Sequence, residues 1–384
     1  MKNILRTLTA LTLILLGTYS HAKETIKIAI IDNFKYQKYV TTKYKDYYLE
    51  GLSVALNQAK RNGLLINYKI FQYGQDPLSI INILPEVIEW KPDVIIGPRD
   101  SNKFLMLPLY VKDVLTVSPF ATSLAVSKMP KNFFSVTLSD AFEAKAIYNF
   151  INWKFPEKDV IVLTEADCKS CKDVSEEFIK IWLKNKHVKP YQQYYLSQQA
   201  STLKMGDTIK NNNGRKIIII PNNAHDSAVL MARISQLSSN ETIFIGGDGW
   251  GSWKDTEVGK LGNLVNYSAY HIVPWGLEAC TKDVKNFKES YEKKFNEKPK
   301  NKLSYIVYQT TMSIISSYVQ YGSTLNGTTK DNLLQGYKLS LTKNKYWHNP
   351  VDYLVYKIHS NQHSNYALVN PITNHSYIYN CEQQ

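Results

Sequence analysis

The sequence predicts an α/β protein built from two tandem, doubly wound, Rossmann-like units, and three observations carry that prediction. Short apolar runs alternate with helix-length stretches from Thr25 to Ser123 in the order β-α-β-α-β-α-β. A second alternation of similar size runs from Ala141 to Asp248. At 384 residues the chain is too long for one ordinary core and long enough for two.

The first 22 residues stand outside that pattern. Lys2 and Arg6 precede an apolar region from Leu8 to Leu16, and Ser20-His21-Ala22 offers small residues for a peptidase. This is the layout of a secretory signal peptide over residues 1–22, which predicts an exported protein. No cysteine lies near the cut to take a lipid anchor, and no later run is apolar enough to span a bilayer. The formal charge is +13, and removing Lys2 and Arg6 leaves +11. Its lysines are scattered among glutamates, as from Lys282 to Lys302, so the pattern is that of a solvated surface and not of a nucleic-acid footprint. Four cysteines, Cys168, Cys171, Cys280 and Cys381, are an even set in an oxidising compartment. Three pairings are open; Cys168 with Cys171 and Cys280 with Cys381 is preferred because the first two are close in sequence.

In order, IKIAIID from Ile26 is a strand, and Asn33 to Tyr44 is a polar, aromatic loop. Tyr48, Leu52, Ala55, Leu56 and Ala59 recur at helical spacing, and Asn62-Gly63 ends that helix. Leu64–Tyr73 is a strand, Pro77–Trp90 a helix, Val94–Ile96 a buried strand, Asn102–Asp113 a helix and Val114–Val117 another buried strand. An extended piece, Phe133–Leu138, leads to the second alternation. It comprises helix Ala141–Phe155, a strand from Val160, helix Asp173–Lys186, strand Lys189–Leu196, helix Leu203–Asn212, strand Lys216–Pro221, helix Ala224–Leu237 and strand Thr242–Gly247. Strand Val265–Val273, helices Lys282–Phe295, Ser304–Tyr321 and Leu333–Leu341, and extended pieces Val351–His359, Tyr366–Val369 and Ser376–Tyr379 complete the chain.

Function is predicted at the strand ends. A strand, a helix and a second strand between Asp93 and Ser123 make a βαβ unit, whose parallel strands end side by side. Ligands bind at that carboxyl edge in open α/β sheets. Ser101 and Thr122 would there offer hydroxyls and loop N–H groups to one small anionic group, with a helix N-terminus behind Ser101. In the second unit, Asp248 occupies the equivalent place within IFIGGDGWGSW. Donors on one wall and a carboxylate on the other suit a zwitterion. Gly97, Pro119 and Asp248 are also ordinary turn residues, and Trp250 and Trp253 are either core anchors or cleft walls.

These segments resemble the branched-chain amino-acid-binding branch of the type I periplasmic solute-binding proteins. There an apolar strand ending in Ile-Gly and a Ser-Pro-x-Ala-Thr loop hold the ligand's α-carboxylate, and an acidic residue after Gly-x takes the α-ammonium. The resemblance implies a ligand site of Ser101, Phe120, Ala121, Thr122 and Asp248, with Trp250 as a wall and Phe34 or Tyr36 over the ligand. Asn223 or Ala224 stands where the family has a tyrosine, so that wall differs and branched-chain specificity does not follow. Tyr305 and Tyr308 resemble the family's tyrosine-bearing helix and could reach the cleft, with packing between lobes as their expected role. The implied architecture is the type I periplasmic-binding fold, two lobes joined by a three-segment hinge: residues 23–137 plus 273–345, and residues 138–272 plus 346–384. The crossings would lie near Val136–Asp140, Tyr270–Pro274 and Asn344–Asp352. Also implied are a periplasmic location, a small-molecule ligand, an inner-membrane ABC permease as partner, a monomeric state and neither catalysis nor a cofactor.

Arg99 is unusual between Gly97 and Ser101. Pointing inward it would favour a ligand with a second acid; the expectation is a solvated charge. Two other functions stay open: a ligand-sensing subunit of a signalling receptor, and a thiol-redox protein working through Cys168-Lys169-Ser170-Cys171, although the rest of a thioredoxin-sized fold is absent. His187 and His225 are isolated, so no zinc pattern forms, and neither a Gly-x-Ser-x-Gly elbow nor a Walker sequence occurs.

Overall fold

In the first sheet, Ile28, Ala29, Ile30 and Ile31 of strand β1 (Ile26–Asp32) are all shut off from solvent, as expected of a parallel strand covered on both faces. The structure is a computed structural model and describes residues 25–33, 46–74, 76, 78–204, 216–237, 242–250, 267–274, 282–299, 302–321, 340–341, 347–348, 353–359, 362–369 and 376–378. Around β1 lie β2 (Ile66–Gln72), β3 (Val94–Ile96), β4 (Leu115–Ser118) and β5 (Phe133–Ser135) in the order β2-β1-β3-β4-β5, every neighbouring pair parallel.

Helix α1 (Tyr47–Arg61) starts where the Asp46 carboxylate accepts the Tyr48 N–H at 2.9 Å, and it buries Tyr48, Leu52, Ala55 and Ala59 on one stripe. Helix α2 (Ser79–Glu89) covers the other face with Ile80, Leu84 and Val87. The third helix, α3 (Ser101–Met106), is shorter than its sequence prediction. It gives way to a single 3-10 turn at Leu107–Leu109, because Pro108 has no N–H for a continuing helix.

The second sheet uses β6 (Val160–Glu165), β7 (Tyr191–Tyr195), β8 (Ile217–Ile219), β9 (Thr242–Gly246) and β10 (Tyr267–Pro274) as five parallel strands in the order β10-β9-β8-β6-β7. Strands β13 (Tyr353–His359), β14 (Gln362–Val369) and β15 (Ser376–Ile378) extend it antiparallel from β10. Alternate residues serve opposite faces. Val160, Val162, Ile217, Ile219, Ile243 and Ile245 meet helices α4 (Asp140–Lys154) and α5 (Lys169–Lys186), while Ile161, Leu163, Ile218 and Phe244 meet α6 (Ala224–Leu237).

Helices α7 (Lys282–Phe295) and α8 (Lys302–Tyr321) follow the second unit in sequence but pack on the first sheet. Val284, Phe287, Tyr291, Tyr305, Val307 and Tyr308 share one core with Ile26, Ile28, Ile30 and α1. The approach of α8 to α1 is close enough to require Gly51: a Cβ there would lie 2.0 Å from the Ser304 carbonyl oxygen. Tyr305 and Tyr308 therefore do not pack between lobes as expected. Both are buried within the first lobe, their ring centroids 5.4 and 4.9 Å from Phe287, and the Tyr308 hydroxyl donates to Gln58 Oε1 at 2.8 Å.

Of the predicted helix Leu333–Leu341, only β11 (Ser340–Leu341) is described, and it pairs antiparallel with β12 (Trp347–His348), so that end is strand. The predicted helix Leu203–Asn212 and the third hinge crossing lie largely outside the described residues, and residues 1–22 wholly so. Strand β10 stays paired in the second sheet up to Pro274. Among the described residues, no helix is long and apolar enough to cross a membrane.

Candidate functional site

On the first lobe the loops after β3 and β4 meet through two serines. Ser101 Oγ accepts the N–H groups of Thr122 at 3.2 Å and Ser123 at 3.3 Å. Ser118 Oγ accepts from Ala121 at 3.0 Å and Phe120 at 3.3 Å while donating to the Pro98 carbonyl at 2.7 Å. Ser101 and Thr122 are thus neighbours, as their strand positions predict. The loop's N–H groups, expected to face an anion, are already satisfied by the serine oxygens. With the Ser118 hydroxyl given to Pro98 and that of Thr122 to Asp140, what this wall retains for a ligand is the Ser101 hydroxyl proton and the half-buried Phe120 ring, with Ala121 fully buried beneath.

The first crossing to the second lobe runs along this wall. Val136 N–H donates to Ser118 O at 3.1 Å, and Asp140 N–H to Thr122 O at 3.0 Å. The Asp140 carboxylate also bonds to Thr122. One residue on, Ser123 Oγ donates to Asp173 Oδ2 of α5 at 3.0 Å, and Lys169 Nζ donates to the other Asp173 oxygen. The two carboxyl edges accordingly face one another at this point.

Asp248 is half-buried just past β9, its N–H 3.3 Å from Glu143 Oε1 of α4. Glu143 lies so close that a Cβ on Gly247 would sit 1.6 Å from that oxygen. Burial first, then the charges of Asp248 and Asp140, push the Glu143 carboxyl well above the usual carboxylate range. Asp140 is likewise raised by burial, with Asp248 and Asp173 adding to it. Asp140, Glu143 and Asp248 therefore form one acidic patch reached from Thr122.

Trp250 is a core anchor and not a cleft wall. It is 1 % exposed, its Nε1–H donates to the Ile220 carbonyl at 2.9 Å, and its ring lies across Gly246, where a Cβ would come within 1.8 Å of it. Arg99 also departs from expectation. Its Nε bonds Asp32 Oδ2 at 2.6 Å, its Nη2 lies 3.8 Å from Asp46 Oδ2, and its guanidinium covers the Tyr48 ring at 5.4 Å. It is half-buried and engaged by Asp32 within the first lobe, so it is not the freely solvated charge expected. Asp32 is fully buried, and the Tyr73 hydroxyl and Asn33 N–H donate to its Oδ1.

Asn223 is exposed and caps α6, accepting the Asp226 N–H at 3.0 Å and donating to Glu165 Oε2 at 2.9 Å. Burial, then Asp226 and Asp167, push Glu165 up to about 7. A carboxyl raised on folding keeps its proton longer in the folded chain than in the unfolded one. Stability from Glu165 is therefore present below about pH 4.5 and is lost as pH rises to about 7. Glu165→Gln should raise Tm by about 2–4 °C at pH 8 and leave it unchanged at pH 4; an equal change at both pH values in calorimetry would contradict this.

Cys168 and Cys171 form a disulfide at the start of α5, with Cys168 Sγ accepting the Cys171 N–H at 3.2 Å. Cys280, Cys381, Phe34, Tyr36 and Trp253 lie outside the described residues. Among the described residues, no group of three His, Cys, Asp or Glu side chains is placed to hold a metal ion.

No protein-family model and no curated protein matches the chain. Solved structures do. A leucine-binding protein LivK from Thermotoga maritima is 18 % identical, with a TM-score of 0.69 over 90 % of this chain and 99 % of that one. The branched-chain amino acid transporter substrate-binding protein LivJ from Streptococcus pneumoniae, in complex with isoleucine, is 16 % identical with a TM-score of 0.68, over 91 % and 100 %. An ABC-transporter solute-binding protein from R. palustris, in complex with benzoate, is 11 % identical with a TM-score of 0.67, over 93 % and 99 %. The likeness spans about nine-tenths of this chain at identities of 11–18 %, so the two-lobed architecture is shared while most side chains are not.

Proposed function

We propose that this chain, which has the type I periplasmic-binding fold of those proteins, is an exported solute-binding receptor. It captures a small polar ligand, an amino acid or related carboxylate, between its lobes and presents it to an inner-membrane ABC permease. One observation carries the reading: Ser101 and Thr122 meet at the edge of the first sheet, and Asp140 links Thr122 to the patch around Asp248 at the edge of the second. Hydroxyl donors on one bank and a carboxylate on the other would bridge a zwitterion, and the bridge would favour the closed pairing of lobes over the open one. Three crossings serve as the hinge in this reading. Residues 1–22 act as the export signal, the periplasm is the working compartment and no cofactor is called for. Cys168–Cys171 is a brace on the first turn of α5.

A thermal-shift screen of amino acids and small carboxylates tests this, since a ligand bound only to the folded state raises Tm. Asp248→Ala should abolish the shift given by any amino acid and leave the apo Tm within about 2 °C of wild type, as the replaced side chain is half-buried at a surface loop. An undiminished shift in that variant removes Asp248 from the site.

A further inference from the structure

The second bank holds more acid than one α-ammonium uses. Asp140 and Glu143 stand one turn apart at the start of α4, both buried and both raised further by the charge of Asp248. One Asp140 oxygen is bonded to Thr122, and the other, Oδ2, is buried without a hydrogen-bond partner. The neighbouring Ser139 hydroxyl is in the same condition: it stands at the N-cap of α4 and makes no capping bond. A buried acceptor left without a donor is costly, and the orphaned Asp140 oxygen, with an unengaged hydroxyl at the next residue, points to a polar partner supplied from outside the chain.

The donor's chemistry follows from what surrounds it. Asp140 and Glu143 come from α4, Asp248 from the loop after β9, and Asp173 and Lys169 from α5. The cation in that set, Lys169, is bonded to Asp173, and Arg99 on the opposite lobe is bonded to Asp32. The acids are not arranged as a metal cage. The opposite wall has spent its loop N–H groups on Ser101 and Ser118. Acceptors are therefore in surplus and anion-binding donors are few.

Resting on the receptor reading above, we infer that the ligand is net cationic, a diamine or a basic amino acid, and that Asp140 and Glu143 join Asp248 in holding it. An arriving ammonium takes the place of a carboxyl proton: the O–H bond of Glu143 breaks, the carboxylate accepts an N–H of the ligand, and the proton passes to the buffer. Burial and the neighbouring Asp248 push the Glu143 carboxyl well above the usual carboxylate range and so favour its protonated form until then. Ligand capture is thus coupled to proton release and strengthens as pH rises.

Isothermal titration of the intact protein at pH 7 with 1,4-diaminobutane, L-lysine, L-leucine and benzoate, each in phosphate and in Tris, tests the inference. One of the two amines should bind at least roughly tenfold tighter than leucine or benzoate, and its heat should differ between buffers by about one released proton. Glu143→Gln should weaken that amine about tenfold and abolish the buffer dependence, with circular dichroism confirming the fold; Asp140→Asn is the second variant should the first not fold. Leucine or benzoate binding more tightly than both amines, or an amine bound with identical heat in both buffers, overturns the inference and leaves the receptor reading standing. Failure of both amines to bind overturns it as well, and the Asp248-dependent thermal screen then decides the receptor reading separately.

Discussion

Arg99→Ala is expected to lower the free energy of unfolding by about 3–5 kcal/mol at pH 8, because it leaves a fully buried carboxylate without its countercharge. Asp32 has no exposure, and Arg99 donates to it at 2.6 Å. Burial already raises the Asp32 carboxyl above its ordinary range, with Arg99 holding it down. In the variant the folded protein must either keep a lone charge or bind a proton that the unfolded chain releases. The loss should therefore shrink as pH falls and Asp32 takes up a proton. Pairing the change with Asp32→Asn should restore part of the stability, since the charge then disappears from both sides. Urea titrations of the single and double variants at two pH values measure all of this. A loss below about 1 kcal/mol at pH 8 would mean the pair behaves like a surface bridge.

Phe287→Ala is expected to remove about 3–5 kcal/mol, the usual range for deleting a fully buried aromatic ring. Phe287 has no exposure and lies within 5.7 Å, centroid to centroid, of Tyr291, Tyr305 and Tyr308. Two of those tyrosines are pinned in turn, Tyr291 to Glu50 at 2.6 Å and Tyr308 to Gln58 at 2.8 Å, so these two cannot collapse into the vacated space without breaking bonds to α1. Chemical denaturation followed by far-UV circular dichroism gives the number. A loss under about 1.5 kcal/mol would show that the α7–α8 layer is loosely held.

The architecture was legible because buried parallel strands write themselves as apolar runs. Val94–Ile96, Lys216–Pro221 and Thr242–Gly247 all gave strands close to their expected bounds. Proximity of Ser101 to Thr122 was also legible, since adjacent parallel strands end together. The acidic patch was not. Asp140 and Glu143 in the first turn of a helix suit the helix dipole and look like ordinary surface charge. Gly247 closes over Glu143, a long-range contact that no local pattern encodes. Arg99 misled for a similar reason: its partner, Asp32, ends a different strand 67 residues earlier. Asp32 did carry a usable signal, being a carboxylate at a strand's carboxyl end like Asp248. For Trp250, period alone could not choose between wall and anchor; the glycine at 246 beneath its ring decided it.

The first sheet is sealed by α7 and α8, which the ribosome makes only after every parallel strand of the second sheet. Until those helices emerge, the half-built lobe must keep Ile28, Ile30 and the α1 stripe from other chains, a window in which aggregation competes with maturation. Any product stopped before residue 282 would therefore carry all five parallel strands of the second sheet and leave the face of the first sheet uncovered, and quality-control proteases should clear it.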